Sequence, residues 1–234
     1  MNISVIIPTL NEEKYIENCL KALSLQDYKD FEIIVVDSNS KDKTVKIAKK
    51  YTDKVIVTKR KGVSYARNLG AKHANGKILL FLDADTIPSF NLLKEIAKAF
   101  RKKDVVGATC YVFPYPPDEL STFYFIFYNI FSRASLKVKP QIAGIVCAYR
   151  KDIFFKVGGF NEKLKILEDF DLSERISKYG KIKFLKDAYV LTSNRRIEHW
   201  GKLKSPFKYL GIYALGKVIG KEKVSKIINY EPIR

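Results

Sequence analysis

Only 3 cysteines stand in 234 residues, and Cys19, Cys110 and Cys147 lie far apart inside apolar patterns. They cannot all pair and show no metal-ligand spacing, so buried thiols are expected in place of a disulfide framework or a zinc cage. None has a base beside it in sequence, which argues against cysteine-based nucleophilic catalysis. Long hydrophobic runs are also missing. The longest strongly apolar stretch, Phe123-Tyr-Phe-Ile-Phe-Tyr-Asn-Ile-Phe131, falls far short of the roughly 20 residues a spanning helix needs. The N-terminus enters Ile3-Ser-Val-Ile-Ile7 directly, without the basic segment and small-residue cleavage site of a signal peptide, so a cytoplasmic location is expected. Neither a Walker A loop nor Gly-x-Gly-x-x-Gly occurs, which argues against P-loop and dinucleotide-binding readings. The 8 Pro and 12 Gly are scattered, and no repeat or linker divides the chain. The length then implies one α/β domain with at most a short appendage.

Acidic residues are scarce beside basic ones, 25 against 43, and the resulting net charge of +18 calls for a polyanionic partner. Nucleic acid, an anionic membrane surface and phosphate-bearing substrates all qualify. Part of the excess is local: residues 195–234 hold ten Lys or Arg against three Glu.

Periodicity supplies the fold class. Short β-rich runs at 3–7, 31–36, 54–58 and 78–82 alternate with helical patterns at 12–25, 42–51, 64–74 and 92–100, the first with Asn11 as its N-cap. This order implies right-handed crossovers and a mostly parallel sheet. Ligands bind such sheets outside the carboxyl ends of the strands. Thr9 and Asn11, Asp37 and Ser38, and Asp83 and Asp85 then share one rim. The second half reads as strands at 105–113, 141–149, 182–185 and 188–191, a turn at 114–117, and helices at 120–132, 152–157, 168–179 and 207–228.

Several residue groups carry candidate chemistry. Asp83-Ala-Asp85 follows a buried strand, where two carboxylates suit either a solvated turn or a divalent cation and a ribose; Mg²⁺ and Mn²⁺ favour such hard oxygen ligands. Asp37 suits a base or ribose edge, or equally an Asx-turn. Arg67 offers a fork to a diphosphate, or joins the basic face of Lys59, Arg60 and Lys61. Glu168-Asp169 suits a helix start, where acids complement the macrodipole, or a general base with a supporting neighbour. Arg195, Arg196 and His199 combine phosphate binders with an imidazole, which either completes a metal shell, caps a phosphate or serves structure.

In order along the chain stand Ser4-Val-Ile-Ile-Pro-Thr-Leu-Asn-Glu12, Ile33-Ile-Val-Val-Asp37-Ser-Asn-Ser40, Gly62-Val-Ser-Tyr-Ala-Arg-Asn68, Phe81-Leu-Asp-Ala-Asp85, Gly158-Gly-Phe-Asn-Glu162 and Glu168-Asp169. This series resembles the family 2 glycosyltransferases of the GT-A fold, over residues 3 to about 200. The resemblance implies a Rossmann-like, mostly parallel central sheet flanked by helices, with a smaller acceptor-side region. Residues 1–202 would be the GT-A domain, with 1–110 binding the nucleotide sugar and 111–202 the acceptor, and 203–234 a basic amphipathic tail. It further implies that Pro8, Thr9 and Glu12 line the nucleotide pocket and Asp37 holds the base. Arg67 would approach the diphosphate. Asp83 would contact ribose or a metal-bound water, and Asp85 the Mn²⁺ or Mg²⁺. Asp169 would be the base of an inverting transfer from a UDP- or GDP-sugar. The Gln-x-x-Arg-Trp motif of processive synthases is absent, with Ser193-Asn-Arg-Arg-Ile-Glu-His-Trp200 in its place, so a single-sugar transfer is expected. The acceptor is undefined; a lipid-linked one fits the tail, where Lys202, Lys204, Lys208 and Lys217 alternate with apolar residues and suit either packing or an anionic membrane at its inner face. A nucleotidyltransferase would carry a Gly-rich loop where Pro8-Thr-Leu-Asn11 stands. A nucleic-acid-binding protein would not gather carboxylates on one rim, so no nucleic-acid partner is expected. A catalytically dead scaffold would keep the same motifs.

Overall fold

The computed structural model describes residues 2–228. Its elements run β1 (Ile3–Thr9), α1 (Ile16–Ser24), β2 (Phe31–Asp37), α2 (Thr44–Ala48), β3 (Val55–Val57), α3 (Val63–His73), β4 (Ile78–Leu82) and β5 (Thr86–Pro88). They continue as α4 (Leu92–Phe100), β6 (Val105–Tyr115), α5 (Glu119–Ser135), β7 (Val146–Arg150), α6 (Lys151–Lys156) and α7 (Glu168–Ile176). β8 (Lys181–Ser193), α8 (Arg195–Trp200), α9 (Ser205–Val218) and α10 (Lys221–Ile227) complete the described chain. The eight strands form one sheet in the order β3-β2-β1-β4-β7-β6-β8-β5. β3, β2, β1 and β4 are mutually parallel, as are β6 and β8. β7 runs antiparallel between β4 and β6, and β5 antiparallel on β8.

The unbroken apolar runs follow from cover on both faces. Ile3, Val5 and Ile7 of β1, with Ile78, Leu80 and Leu82 of β4, face a core shared with α1 and α4. Ile6, Leu79 and Phe81 point the other way, into a core with α3, α6 and α7. Cys19, Cys110 and Cys147 lie inside these cores as free thiols, and burial pushes the Cys147 thiol up to about 12. A third cluster joins Ile166 and Leu167 to Ile212 of α9 and Val224 of α10. The described part of the tail, to residue 228, is therefore packed on the segment leading into α7; residues 229–234 lie outside the described residues.

Several boundaries differ from the periodicity reading. Asn11 is not the N-cap of α1: it has φ 54°, its side-chain oxygen accepts from the Lys41 N–H, and the helix starts only at Ile16. The two short strands at 182–191 are one 13-residue strand, with a register shift against β6 between Cys110 and Tyr111. The strand expected from 141 begins at Val146, because the N–H groups of Gln141, Ile142, Ala143 and Gly144 donate to the side chains of Ser135, Ser173, Tyr128 and Asp169 instead of to a neighbouring strand. The helix expected over 207–228 breaks at Gly220, whose φ of +89° favours glycine.

Candidate active site

Parallel β1 and β2 end in register, pairing Thr9 with Asp37. Asp37 is fully buried, and its carboxylate accepts from Thr9 Oγ1 at 2.8 Å, Ser40 Oγ at 2.5 Å and Ser40 N–H at 2.8 Å. It therefore staples the two strand-end loops together. Thr44 Oγ1 accepts from the Glu12 N–H at 2.8 Å, and Ser40 Oγ from the Asn11 N–H at 2.8 Å, so the segment after Pro8 is held as a rigid lip.

On that lip Glu12 is 3% exposed. Arg195, 183 positions away on α8, donates to Glu12 Oε1 at 2.9 Å, while its Nη2 lies 2.8 Å from Asp85 Oδ2. The same guanidinium lies over the Tyr15 ring, 4.7 Å from its centre. Burial raises Asp85 to about 6; Arg195 opposes that rise, and the charges of Asp83 and Glu12 add to it. The three carboxylates Glu12, Asp83 and Asp85 outnumber the two guanidiniums, Arg195 and Arg67, that touch them.

Arg67 of α3 is the centre of a second cluster and is 2% exposed. Its Nη2 donates to Asp83 Oδ1 at 2.8 Å and to Gly144 O at 3.0 Å, and its Nη1 to Glu168 Oε1 at 3.1 Å. The basic-face reading of Arg67 therefore does not hold, since the side chain is buried and joins two carboxylates. A Cβ on Gly144 would stand 2.6 Å from Nη2, so only glycine lets the backbone approach the guanidinium. The Gly144 N–H donates to Asp169 Oδ2 at 2.7 Å, and the Phe170 N–H to Oδ1 at 2.8 Å. Glu168 and Asp169 open α7 after Leu167 in the left-handed region at φ 64°. Burial pushes both carboxyls above their ordinary values. Beside Arg67, Asn68 receives the Phe160 N–H and donates to Phe160 O, both at 2.9 Å, which fastens Gly158-Gly-Phe-Asn-Glu162 to α3.

The structure thus joins Glu12 and Asp85 through Arg195, and Asp83 and Glu168 through Arg67, with Asp169 held beside Glu168 by the Gly144 N–H. Arg196 is half-buried with its guanidinium over Trp200, and His199 is exposed in the last turn of α8. Among the described residues no three His, Cys, Asp or Glu side chains converge as a ready metal cage. The donor chemistry nevertheless fits a hard divalent cation. Asp83 and Asp85 offer carboxylate oxygens in a pocket with excess negative charge, and Mg²⁺ and Mn²⁺ often take only one or two carboxylates and complete their shell with water and phosphates. Sequence reasoning passed over Gly144 and Tyr128, whose Oη accepts from the Ala143 N–H at 3.2 Å. Gly144 had no turn signal around it, and Tyr128 read as one aromatic among many.

Residues 4–158 match the sequence profile described as glycosyl transferase family 2. One relative, from Methanococcus voltae, is a dolichyl N-acetyl-alpha-D-glucosaminyl phosphate 3-beta-D-2,3-diacetamido-2,3-dideoxy-beta-D-glucuronosyltransferase. It is 35% identical over 109 residues, 43% of this chain and 34% of its own length. The mannosyltransferase PcManGT of Pyrobaculum calidifontis, solved with GDP-Man and Mn²⁺, superposes with a TM-score of 0.70 at 25% identity, covering 82% of this chain and 56% of its own. TarS 1–349 of S. aureus, solved with UDP-GlcNAc, gives 0.64 at 27% identity, covering 82% and 59%. This chain therefore spans less than two thirds of the length of each. The α/β architecture is the GT-A fold of these structures. The matched profile takes in the strand-end lip, Arg67, Gly144 and the Asp-Ala-Asp corner and stops short of Glu168 and Asp169; it covers more than half of the chain, and on that ground the chain belongs to glycosyl transferase family 2.

Proposed function

We propose that the protein transfers a single sugar, with inversion, from a nucleoside-diphosphate sugar to an acceptor hydroxyl or phosphate. The observation that carries this reading is the Arg67 guanidinium, which bonds at once to Asp83 at the β4 strand end and to Glu168 beside Asp169. Donor-side and acceptor-side carboxylates thus belong to one hydrogen-bonded cluster.

Pro8, Thr9 and Glu12 form the lip for the nucleotide, and Asp37 fixes its floor. Arg195 and Arg196 on α8 supply cations for the diphosphate, which Arg67, consumed by its three partners, supports from behind. Asp169 accepts the proton of the acceptor hydroxyl as that oxygen bonds to the anomeric carbon, and the bond from that carbon to the diphosphate oxygen breaks. The Gly144 and Phe170 N–H groups hold the carboxylate in place for this step. Mn²⁺ or Mg²⁺, held by Asp85 and Asp83, would neutralise charge on the departing diphosphate. PcManGT with GDP-Man and Mn²⁺ and TarS with UDP-GlcNAc make GDP and UDP the nucleotides to test first. The dolichyl N-acetyl-alpha-D-glucosaminyl phosphate in the name of the Methanococcus voltae relative makes a lipid-linked acceptor the first class to try.

The test is a thermal-shift panel of UDP, GDP, CDP and dTDP with and without Mn²⁺. One nucleotide should raise Tm in a metal-dependent way, since a ligand at 100 times its Kd stabilises the folded state by about 2.7 kcal/mol. Asp169→Asn should keep that shift and lose sugar transfer. Transfer at near wild-type rate by Asp169→Asn would remove Asp169 as the base, and no shift with any nucleotide would overturn the donor assignment.

A further inference from the structure

α5 and α9 lie side by side, with ring centres of Tyr124 and Tyr209 5.9 Å apart and those of Phe131 and Tyr213 5.8 Å apart. Their outer faces are apolar and open. Of the 20 large hydrophobic side chains exposed among the described residues, 12 lie in 120–138 and 203–218, so the apolar exposure is concentrated there. Phe123 and Phe127 are each 62% exposed, and Phe207 is 76% exposed. An apolar surface of this kind needs an occupant.

The charge around it identifies the occupant. Segments 120–140 and 199–221 contain no Asp or Glu, yet they carry Arg133, Lys137, Lys139, Lys202, Lys204, Lys208, Lys217 and Lys221. A second copy of this chain would bring like charges together, and the buried centre of a protein interface is depleted in Lys. Lys139, Lys217 and Lys221 of this rim pair with Glu174 and Lys202 with Asp118, but cations still outnumber acids there. An apolar, aromatic face with such a positive excess fits a bilayer surface with anionic headgroups, where the rings enter the headgroup boundary and the cations meet phosphate. Among the described residues no helix is long and apolar enough to cross a membrane, so the two helices would lie along its surface.

We propose that α5 and α9 together form a docking face for an anionic lipid bilayer. The inner sides of the same helices support the site. Tyr128 of α5 receives the Ala143 N–H next to Gly144, and Phe170, which follows Asp169, packs on Tyr213 of α9 with ring centres 5.9 Å apart. Docking therefore brings Asp169 close to the lipid surface. That consequence rests on the proposed transferase reading; the docking itself does not.

The experiment is flotation of the 234-residue chain with phosphatidylcholine vesicles and with vesicles that also contain phosphatidylglycerol. The wild type should float with the anionic vesicles and release in high salt. The triple variant Phe123→Ser, Phe127→Ser, Phe207→Ser should bind about tenfold less or weaker. A separate Lys204→Gln, Lys208→Gln variant should lose binding to anionic vesicles selectively. Retention of each variant's thermal unfolding transition shows that it folds. Absence of wild-type flotation overturns the proposal, as does equal flotation by the triple variant or a stable dimer that does not float. Because the readout needs no donor, a nucleotide shift without flotation would remove the docking face and leave the transferase reading standing.

Discussion

Glu168 and Asp169 are neighbours in a place where burial opposes ionisation of both. Glu168 is pushed up by burial and then by the Asp169 charge, with Arg67 acting in the opposite direction. Asp169 is pushed up by burial against hydrogen bonds from the Gly144 and Phe170 N–H groups. A base must be ionised to take a proton, so the acid limb of kcat/KM should lie above the ordinary Asp value of about 3.9. Glu168→Gln removes one of two adjacent negative charges, which makes ionised Asp169 easier to form. Its acid limb should therefore move to lower pH, as read from kcat/KM profiles of the two proteins. A limb that stays in place would assign the titration to a different group. The adjacent acid pair was visible in the sequence, where it served equally well as a helix-start charge pattern. What the sequence did not show is the hold on Asp169 from Gly144, because nothing in that glycine's neighbours' residue types announces that its N–H meets a carboxylate 25 positions away.

At the scale of elements, α7 ties the C-terminal helices to the sheet through one carboxylate. Glu174 accepts from Gln141 at 2.7 Å and pairs with Lys139, Lys217 and Lys221 at 3.1, 3.5 and 2.8 Å. Burial alone would raise its carboxyl, but these bonds outweigh that and hold it at about 2. A carboxyl held low in the folded state adds stability above its unfolded value of about 4.3. That stability declines as pH falls from there to about 2. Amide exchange in α9 and α10 should quicken between pH 6 and pH 3 in the wild type, after correction for intrinsic rates. Glu174→Gln should exchange faster at pH 6 and show a smaller pH effect; unchanged protection at pH 6 would show that the apolar cluster alone docks these helices. Elements carried by their own periodicity were legible: α4 occupies the span its pattern gave, and β4 ends at the expected carboxylates. β5 was not, because three residues carry no period and the strand exists only through pairing with β8. The break between α9 and α10 depends on one glycine in a run that otherwise reads as continuous helix.

Across the whole molecule, contacts far apart in sequence close the site. Arg67 meets Glu168 at a separation of 101 and Arg195 meets Glu12 at 183, distances over which no hydrophobic pattern carries information. The motifs named these residues individually, whereas their pairing depends on α7 closing on α3 and α8 folding back over the β1 lip. That closure has a measurable consequence for metal binding. Arg195 faces both Asp85 and Glu12, so a divalent ion arriving at Asp85 competes with a guanidinium already in contact. Arg195→Met removes that competitor and leaves two buried acids without it, which costs stability because an uncompensated buried charge is unfavourable. Mn²⁺ without nucleotide should therefore raise the Tm of Arg195→Met more than that of the wild type, from a lower starting value. With nucleotide present the order should reverse, since the wild-type guanidinium then has a diphosphate to bind and the variant has lost that contact. Equal Mn²⁺ shifts in the two proteins would place the metal away from Asp85.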